Sequence, residues 1–249
     1  MKIAVISDIH GNVLALEAVL ADLKTEAPDL IVNLGDCVSG PLWPEETATI
    51  LRDTGWQTVR GNHDRVLIET PVGKMGPTDA FAAERLSSVN LAWLKTTEPT
   101  IRITDEIFLC HGRPDNDDIY LTEKIEGPKG HMPDEDTILE AVQGIDSEII
   151  CCGHTHIPRL IRLEATGQMI LNPGSVGLPS YQDDHPSRHK MEVGSPHARY
   201  AIMTKTGTTW NFLQKSLTYD WDAASDEAKK NNRPGWARSL KHGFYGPLS

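Results

Sequence analysis

The sequence predicts an α/β fold in which two packed β-sheets are flanked by helices. Three features point there. Short apolar runs alternate with helical segments across residues 2–59, which implies parallel strands in a buried sheet. From residue 159 onward the pattern changes to strands separated by turn signals such as Thr166-Gly167 and Lys205-Thr206-Gly207, which favour antiparallel hairpins. Clusters of Asp, His and Asn, each beside a glycine, sit where the apolar runs end, and ligand sites in α/β sheets form at the carboxyl ends of strands.

Residues 2–7 are apolar and β-branched, so they read as the first strand, and the apolar positions then recur at helical spacing over 13–23. Residues 30–34 give a second buried strand, 44–52 a helix with Pro44 in its first turn, and 57–59 a short third strand. Between 67 and 100 the pattern is helical, with short helices at 79–86 and 91–94, and this stretch reads as an insert. Strands follow at 107–110 and 148–152 around a helix at 137–142, then hairpin strands at 160–164, 169–171, 200–204 and 209–213. Residues 114–136 and 179–198, rich in Pro, Gly, Asp and His, read as long loops of the kind that shape specificity. The expected organisation is one catalytic domain through about residue 215 and a C-terminal tail over 216–249. That tail has a polar helix at 220–232 and an irregular aromatic segment at 236–245.

The bulk numbers narrow the function. With 249 residues, 39% hydrophobic and 24% charged, the chain is an ordinary globular one able to bury a large core. No run approaches the roughly 20 apolar residues of a membrane helix, and the start enters a strand instead of a signal peptide, so a cytoplasmic enzyme is expected. A net charge of −11 repels polyanions, which makes a nucleic-acid polymer an unfavourable partner. A small phosphorylated substrate is not disfavoured, because bound cations neutralise a cluster of carboxylates locally. Cys37, Cys110, Cys151 and Cys152 lie at apolar run ends without paired spacing and read as buried thiols. A homo-oligomer is compatible with the sequence.

Five segments carry the chemistry: Asp8-Ile9-His10-Gly11-Asn12, Gly35-Asp36, Gly61-Asn62-His63-Asp64, His111-Gly112 and Gly153-His154-Thr155-His156. Side chains two apart in extended chain point the same way, so Asp8 with His10, and His154 with His156, can each grip one ion or two neighbouring ions. One such pair is commonly a core or surface feature. Five clusters, each after an apolar strand, point to a metal site.

In this order the segments resemble the signature of the calcineurin-like metallophosphoesterases: D-x-H, G-D, G-N-H-D/E, H and G-H-x-H. The resemblance implies a four-layer α-β-β-α sandwich of two mixed sheets flanked by helices. It implies Asp8, His10 and His156 on one metal, Asn62, His111 and His154 on the other, and Asp36 bridging both. Mixed carboxylate, imidazole and amide ligands suit manganese foremost, with iron, zinc or nickel as alternatives. The implied reaction is hydrolysis of a phosphate ester by water activated between two divalent ions, with hydroxide as nucleophile and no covalent intermediate. His63 resembles the family's outer-sphere histidine, a proton donor to the leaving oxygen, and Asp64 is placed to orient it.

Arg60 and Arg113 are candidate phosphate clamps, since a guanidinium matches two phosphate oxygens. Arg60, directly before the Gly61-Asn62-His63-Asp64 segment, is the stronger of the two. Asn12 either touches the phosphate or caps the helix that starts at Val13. The Ser7-Asp8-x-His10-Gly11 opening and Asn172-Pro173-Gly174-Ser175 resemble small bacterial and archaeal phosphodiesterases, although some of those carry Cys where His63 stands. The tail from Tyr219 loosely resembles asymmetric dinucleoside tetraphosphate hydrolases with phosphodiesterase activity. A small phosphodiester or nucleotide is therefore the favoured substrate. A phosphomonoesterase or a protein Ser/Thr phosphatase with the same site is the alternative, and a non-catalytic scaffold is opposed by the complete ligand set.

Overall fold

The computed structural model describes residues 1–246. Its first part runs β1 (Lys2–Ile6), α1 (Val13–Glu26), β2 (Leu30–Asn33), α2 (Pro44–Thr54), β3 (Gln57–Thr58), α3 (Asn62–Glu69), a 3-10 turn at Val72–Lys74, α4 (Pro77–Ala83) and α5 (Ser88–Leu94). It continues with β4 (Thr100–Thr104), β5 (Ile107–Cys110), β6 (Lys124–Glu126), β7 (Lys129–His131), α6 (Glu135–Ala141), β8 (Ile149–Cys151), β9 (Arg159–Arg162) and β10 (Met169–Asn172). β11 (Ser180–Asp183), β12 (His189–Glu192), β13 (Ala198–Thr206), β14 (Thr209–Leu217), α7 (Trp221–Lys230) and α8 (Pro234–His242) complete it.

Two five-stranded sheets form the frame, in the orders β14-β13-β1-β2-β3 and β4-β5-β8-β10-β9. β1, β2 and β3 pair in parallel, as do β5, β8 and β10, while β13, β14, β4 and β9 join antiparallel. Strand alternation sorts side chains into layers. Ile3 and Val5 of β1 meet Ile107, Leu109, Ile149 and Cys151 between the sheets, whereas Ala4 and Ile6 face the helices and pack with Leu16, Val19 and Leu51. On the far side Cys110 and Ile150 join Ile138 and Ala141 of α6. The result is the α-β-β-α stack that the sequence predicts. A buried strand that must be apolar on both faces explains why residues 2–7 show no alternation in sequence.

Two expectations are corrected, and one strand is added. The stretches 114–136 and 179–198 are not simply loops: they contribute β6, β7, β11 and β12 to a third, four-stranded sheet in the order β11-β12-β7-β6. Its short strands alternate polar residues on an open face, which left no apolar periodicity to read. The segment 236–245 is not irregular; Pro234 at the first turn and Gly243 in the left-handed conformation bracket helix α8. β4, at the end of the segment read as helical, is a Thr-Ile-Arg-Ile-Thr edge strand whose alternation is brief. α7 and α8 bury Ala224, Ala228, Ala237 and Leu240 in the same core cluster as α1. Among the described residues no helix is long and apolar enough to cross a membrane.

One surface network ties α1 to both neighbouring strands. Glu26 accepts from Lys2 Nζ at 2.6 Å and Lys215 Nζ at 2.5 Å, and Asp22 receives the same Lys215. The hydrogen bonds from Lys2 and then Lys215 hold the Glu26 carboxyl down at about 2, against its ordinary 4.5. A depressed folded pKa means the contribution is complete above the unfolded value and is lost as pH falls from 4.5 toward 2. Glu26→Gln is therefore expected to flatten the acid limb of stability in that window, read from urea midpoints at successive pH values. An unchanged slope would remove Glu26 as its cause.

Candidate metal centre and active site

Backbone geometry brings the five polar clusters together at one rim of the two-sheet stack. Asp8 and His10 follow β1, Asp36 follows β2, Asn62 and His63 open α3 after β3, His111 follows β5, and His154 and His156 follow β8. Among the described residues seven non-glycine positions have positive φ, and five of them are Asp8, His10, Asp36, His154 and His156, with φ between 52° and 66°. Each such residue costs on the order of 1–3 kcal/mol and persists only where its surroundings enforce it. The strain is concentrated on the side chains that converge.

Glycines make the convergence possible. A Cβ on Gly61 would lie 2.2 Å from Asp36 Oδ1 and 2.4 Å from its backbone nitrogen. One on Gly153 would lie 2.0 Å from Ser7 Oγ and 2.8 Å from Asp8 Oδ2. The carboxylates approach backbone that only glycine leaves bare.

The donor atoms form two adjoining groups, Asp8 with His10 and His156, and Asp36 with His111 and His154. His156 Nε2 is 3.3 Å from Asp8 Oδ1 and 3.1 Å from His10 Nε2; His111 Nε2 is 3.0 Å from Asn62 Oδ1. Asp36 Oδ2 stands 3.3 Å from His111 Nε2 and 3.7 Å from His10 Nε2, so one carboxylate oxygen reaches both groups. Donors that share a cation at about 2.0–2.2 Å stand roughly 3–3.5 Å from one another; all of these spacings match except Asp36 to His10, which is 3.7 Å.

The imidazoles are also oriented for ligation. Nδ1 of His10 donates to Ser39 O at 2.7 Å, that of His111 to Leu34 O at 2.8 Å and that of His156 to Leu178 O at 2.7 Å. A ring whose Nδ1–H is committed to a carbonyl offers its Nε2 lone pair to the centre. Two such lone pairs only 3.1 Å apart, on His10 and His156, repel unless a positive charge lies between them. Burial pushes His10 down to about 4 and His154 down to about 3, keeping them neutral donors. Burial pulls His111 down as well, but the Asp36 charge and hydrogen bond outweigh it and hold that ring up at about 10. The cluster draws positive charge, and its donor set fits a cation pair.

The calcineurin-like phosphoesterase superfamily domain matches residues 1–193. The chain belongs to this superfamily. It is 28% identical to an uncharacterised protein of Methanocaldococcus jannaschii, with 94% of each chain covered. A metallophosphoesterase of Sphaerobacter thermophilus shares the fold at a TM-score of 0.72 and 24% identity, over 95% of this chain and all of that one. A structure provisionally assigned as a diadenosine tetraphosphatase aligns at 0.54 and 18% identity, over 86% of this chain and 93% of the other. Membership in the superfamily makes the chain a phosphoester hydrolase by kinship, with two groups of candidate metal ligands.

Within this superfamily site, the structure corrects the partner of His63. Asp64 does not reach His63; its Oδ2 accepts from the backbone nitrogens of Asp36 (2.8 Å) and Gly61 (3.0 Å), and its Oδ1 from that of Cys37 (3.0 Å). Burial, with the Asp36 charge, raises Asp64 to about 6. Asp64 fixes the loop that carries Asp36. The group that holds His63 is Asp79 on α4, whose Oδ1 accepts from His63 Nδ1 at 2.7 Å and also from Ser39 Oγ. Asp79 escaped notice in the sequence because it lies in the helical insert, with only the Gly76-Pro77 helix start nearby and no link to the signature.

The two candidate clamps stand in different places. A cavity of about 940 Å³ opens over the cluster; Arg113 lines it and Arg60 does not. Arg60 Nε is buried without a partner among the described residues, and its backbone nitrogen donates to Glu98 O. Arg113 lines the cavity, and its guanidinium is held by Asp115 at 2.9 and 3.0 Å. Asn12 is the cap of α1, accepting from Ala15 N at 3.2 Å, while its amide donates to Gly177 O and Tyr219 Oη. Both ends of that amide are engaged inside the protein, and Asn12 does not line the cavity. The aromatic wall of the cavity, Tyr120, Tyr181, Trp236 and Tyr245, was not singled out in the sequence, since the stretches that carry it read as loops and tail.

Proposed function

We propose that the protein is a metal-dependent phosphodiesterase acting on a small phosphodiester or nucleotide. The observation that carries this reading is the single Asp36 oxygen within 3.7 Å of His10 and 3.3 Å of His111, one carboxylate shared by two ligand groups. Asp8, His10 and His156 would hold one cation, Asn62, His111 and His154 the other, and Asp36 would touch both. Such a pair supplies Lewis acidity to phosphoryl oxygens and lowers the pKa of water. Nitrogen and oxygen donors together favour manganese, with iron, zinc and nickel as the other fits.

The protein's own groups do the rest. His63, held through Nδ1 by Asp79, presents Nε2 to the cavity and protonates the departing ester oxygen. Arg113 meets a non-bridging oxygen from the wall. The charge of the cavity favours a diester: Asp118, Glu123 and Asp183 line it against Arg113 and Lys124, a poor setting for a long polyphosphate and a tolerable one for a single negative charge.

Metal removal tests the proposal. Chelated protein is expected to be inactive on bis-p-nitrophenyl phosphate and to recover on adding Mn²⁺, with the diester cleaved faster than p-nitrophenyl phosphate. A faster monoester rate would move the assignment to a phosphomonoesterase. No activity with Mn²⁺, Fe²⁺, Zn²⁺ or Ni²⁺ would end the catalytic reading.

A further inference from the structure

We propose that the C-terminal segment around α8 is a receptor for a flat aromatic ester group, a nucleobase being the natural case, and so selects which diester reaches the metal cluster. The proposal rests on the phosphodiesterase reading above and adds a substrate class to it. Its starting point is that α8 lies beyond residue 193, where the superfamily match ends, yet supplies part of the wall of the active-site cavity.

The segment is anchored. Ser239 Oγ accepts from Ser180 N at 3.1 Å, Tyr245 N donates to Glu192 Oε1 at 2.9 Å, and Gly194 N donates to Gly243 O at 3.0 Å. Leu240 and Ser239 are fully buried. α8 is thereby joined to β11 and β12, and the third sheet and the C-terminal helix make one continuous wall.

That wall is aromatic where it meets the cluster. The Trp236 ring stands 5.9 Å from the His10 ring, edge-on at 77°, and both line the cavity. Bare backbone makes room for the aromatic side chains. A Cβ on Gly235 would lie 2.6 Å from the Tyr245 hydroxyl, and one on Gly40, besides meeting His10 O at 2.1 Å, would lie 3.3 Å from Trp236 Cη2. Along the same cavity Tyr120 packs 4.7 Å from His154 and Tyr181 4.6 Å from His156, ring centre to ring centre. A group esterified to a phosphate on the cluster therefore lies among aromatic rings that line the cavity. A planar heterocycle gains stacking there, worth roughly ten- to a hundredfold in affinity, while a flexible or saturated group gains contact area alone. The cavity of about 940 Å³ admits a base with its sugar.

The test uses the full chain loaded with Mn²⁺ and three diesters that share a p-nitrophenolate leaving group: methyl, cyclohexyl and thymidine-5′ p-nitrophenyl phosphate. The expected result is a kcat/KM for the thymidine ester about ten- to a hundredfold above the methyl ester, with the cyclohexyl ester well below thymidine. Trp236→Leu and Tyr245→Leu should each shrink the thymidine-to-methyl ratio, mainly through KM, and Trp236→Phe should restore most of it. The proposal is overturned if wild type shows no such ratio, if cyclohexyl matches thymidine, or if the ratio survives both leucine variants. Should none of the three esters be cleaved with any metal, the diesterase reading falls separately. Tryptophan fluorescence then decides the receptor: quenching by thymidine 5′-phosphate but not by methyl phosphate, lost in Trp236→Phe, supports it, and equal quenching in the variant refutes it.

Discussion

His63→Ala is expected to keep the metal content of the protein and to lose roughly 10²- to 10⁴-fold in kcat, the range for removing a positioned general acid. His63 stands one residue from Asn62 and packs edge-on against the His10 ring, but its Nδ1 is bound to Asp79 at 2.7 Å instead of to the ligand set. Burial alone would lower its pKa, yet the Asp36 charge and the Asp79 hydrogen bond hold it up at about 10, so the ring carries the proton it is to donate. The loss should depend on the leaving group. An ester of a good leaving group such as p-nitrophenolate needs little protonation, so the variant should fall least there and most on an alkyl diester. Asp79→Asn should reproduce a smaller part of the loss, about tenfold, and should add little to His63→Ala, because a partner that acts through His63 has nothing left to position. Metal analysis beside kinetics decides the case: if His63→Ala protein binds no metal, His63 is a ligand and the acid role is wrong.

Gly61→Ala should strip the site more completely than any change of a single ligand on its periphery. The added methyl would lie 2.2 Å from Asp36 Oδ1 and 2.4 Å from Asp36 N. Neither can retreat. The carboxylate also accepts from His63 N at 3.0 Å, and the Asp36 backbone is pinned by Asp64, whose other oxygen holds Cys37. The expected cost is about 1–3 kcal/mol of stability, the range for overpacking, together, on the proposed function, with loss of bound metal from both groups, since one Asp36 oxygen stands within 3.7 Å of His10 and 3.3 Å of His111. Thermal unfolding and metal content on the same preparation test this. A variant that keeps two ions per chain would show that Asp36 does not bridge them.

The likeness of the polar clusters to a known signature made the site legible early, but each residue's place was readable for a different reason. Asp8, His10, His154 and His156 stand at strand ends, and strand ends are fixed by apolar runs that sequence displays directly. Asp36 and His111 follow the same logic. Helix boundaries were readable where chemistry marks them, as at Pro44, and blurred where it does not: α1 runs on to Glu26, three residues beyond the last periodic leucine, before Ala27 turns left-handed. The small third sheet could not be read, because its strands are short, polar on alternate residues and paired across long sequence gaps, as Lys190 is with Lys129.

The sequence by itself determined the strand-and-helix alternation, the parallel core and the five polar clusters, because each depends on neighbours in the chain: periodicity, turn chemistry and glycine beside a ligand. Only the tertiary structure decided which carboxylate holds His63, which arginine lines the cavity and what walls it. Asp79 meets His63 across 16 residues, and Trp236 meets His10 from the far end of the chain. Contacts of that kind follow from how layers pack, and packing couples positions that no local pattern links.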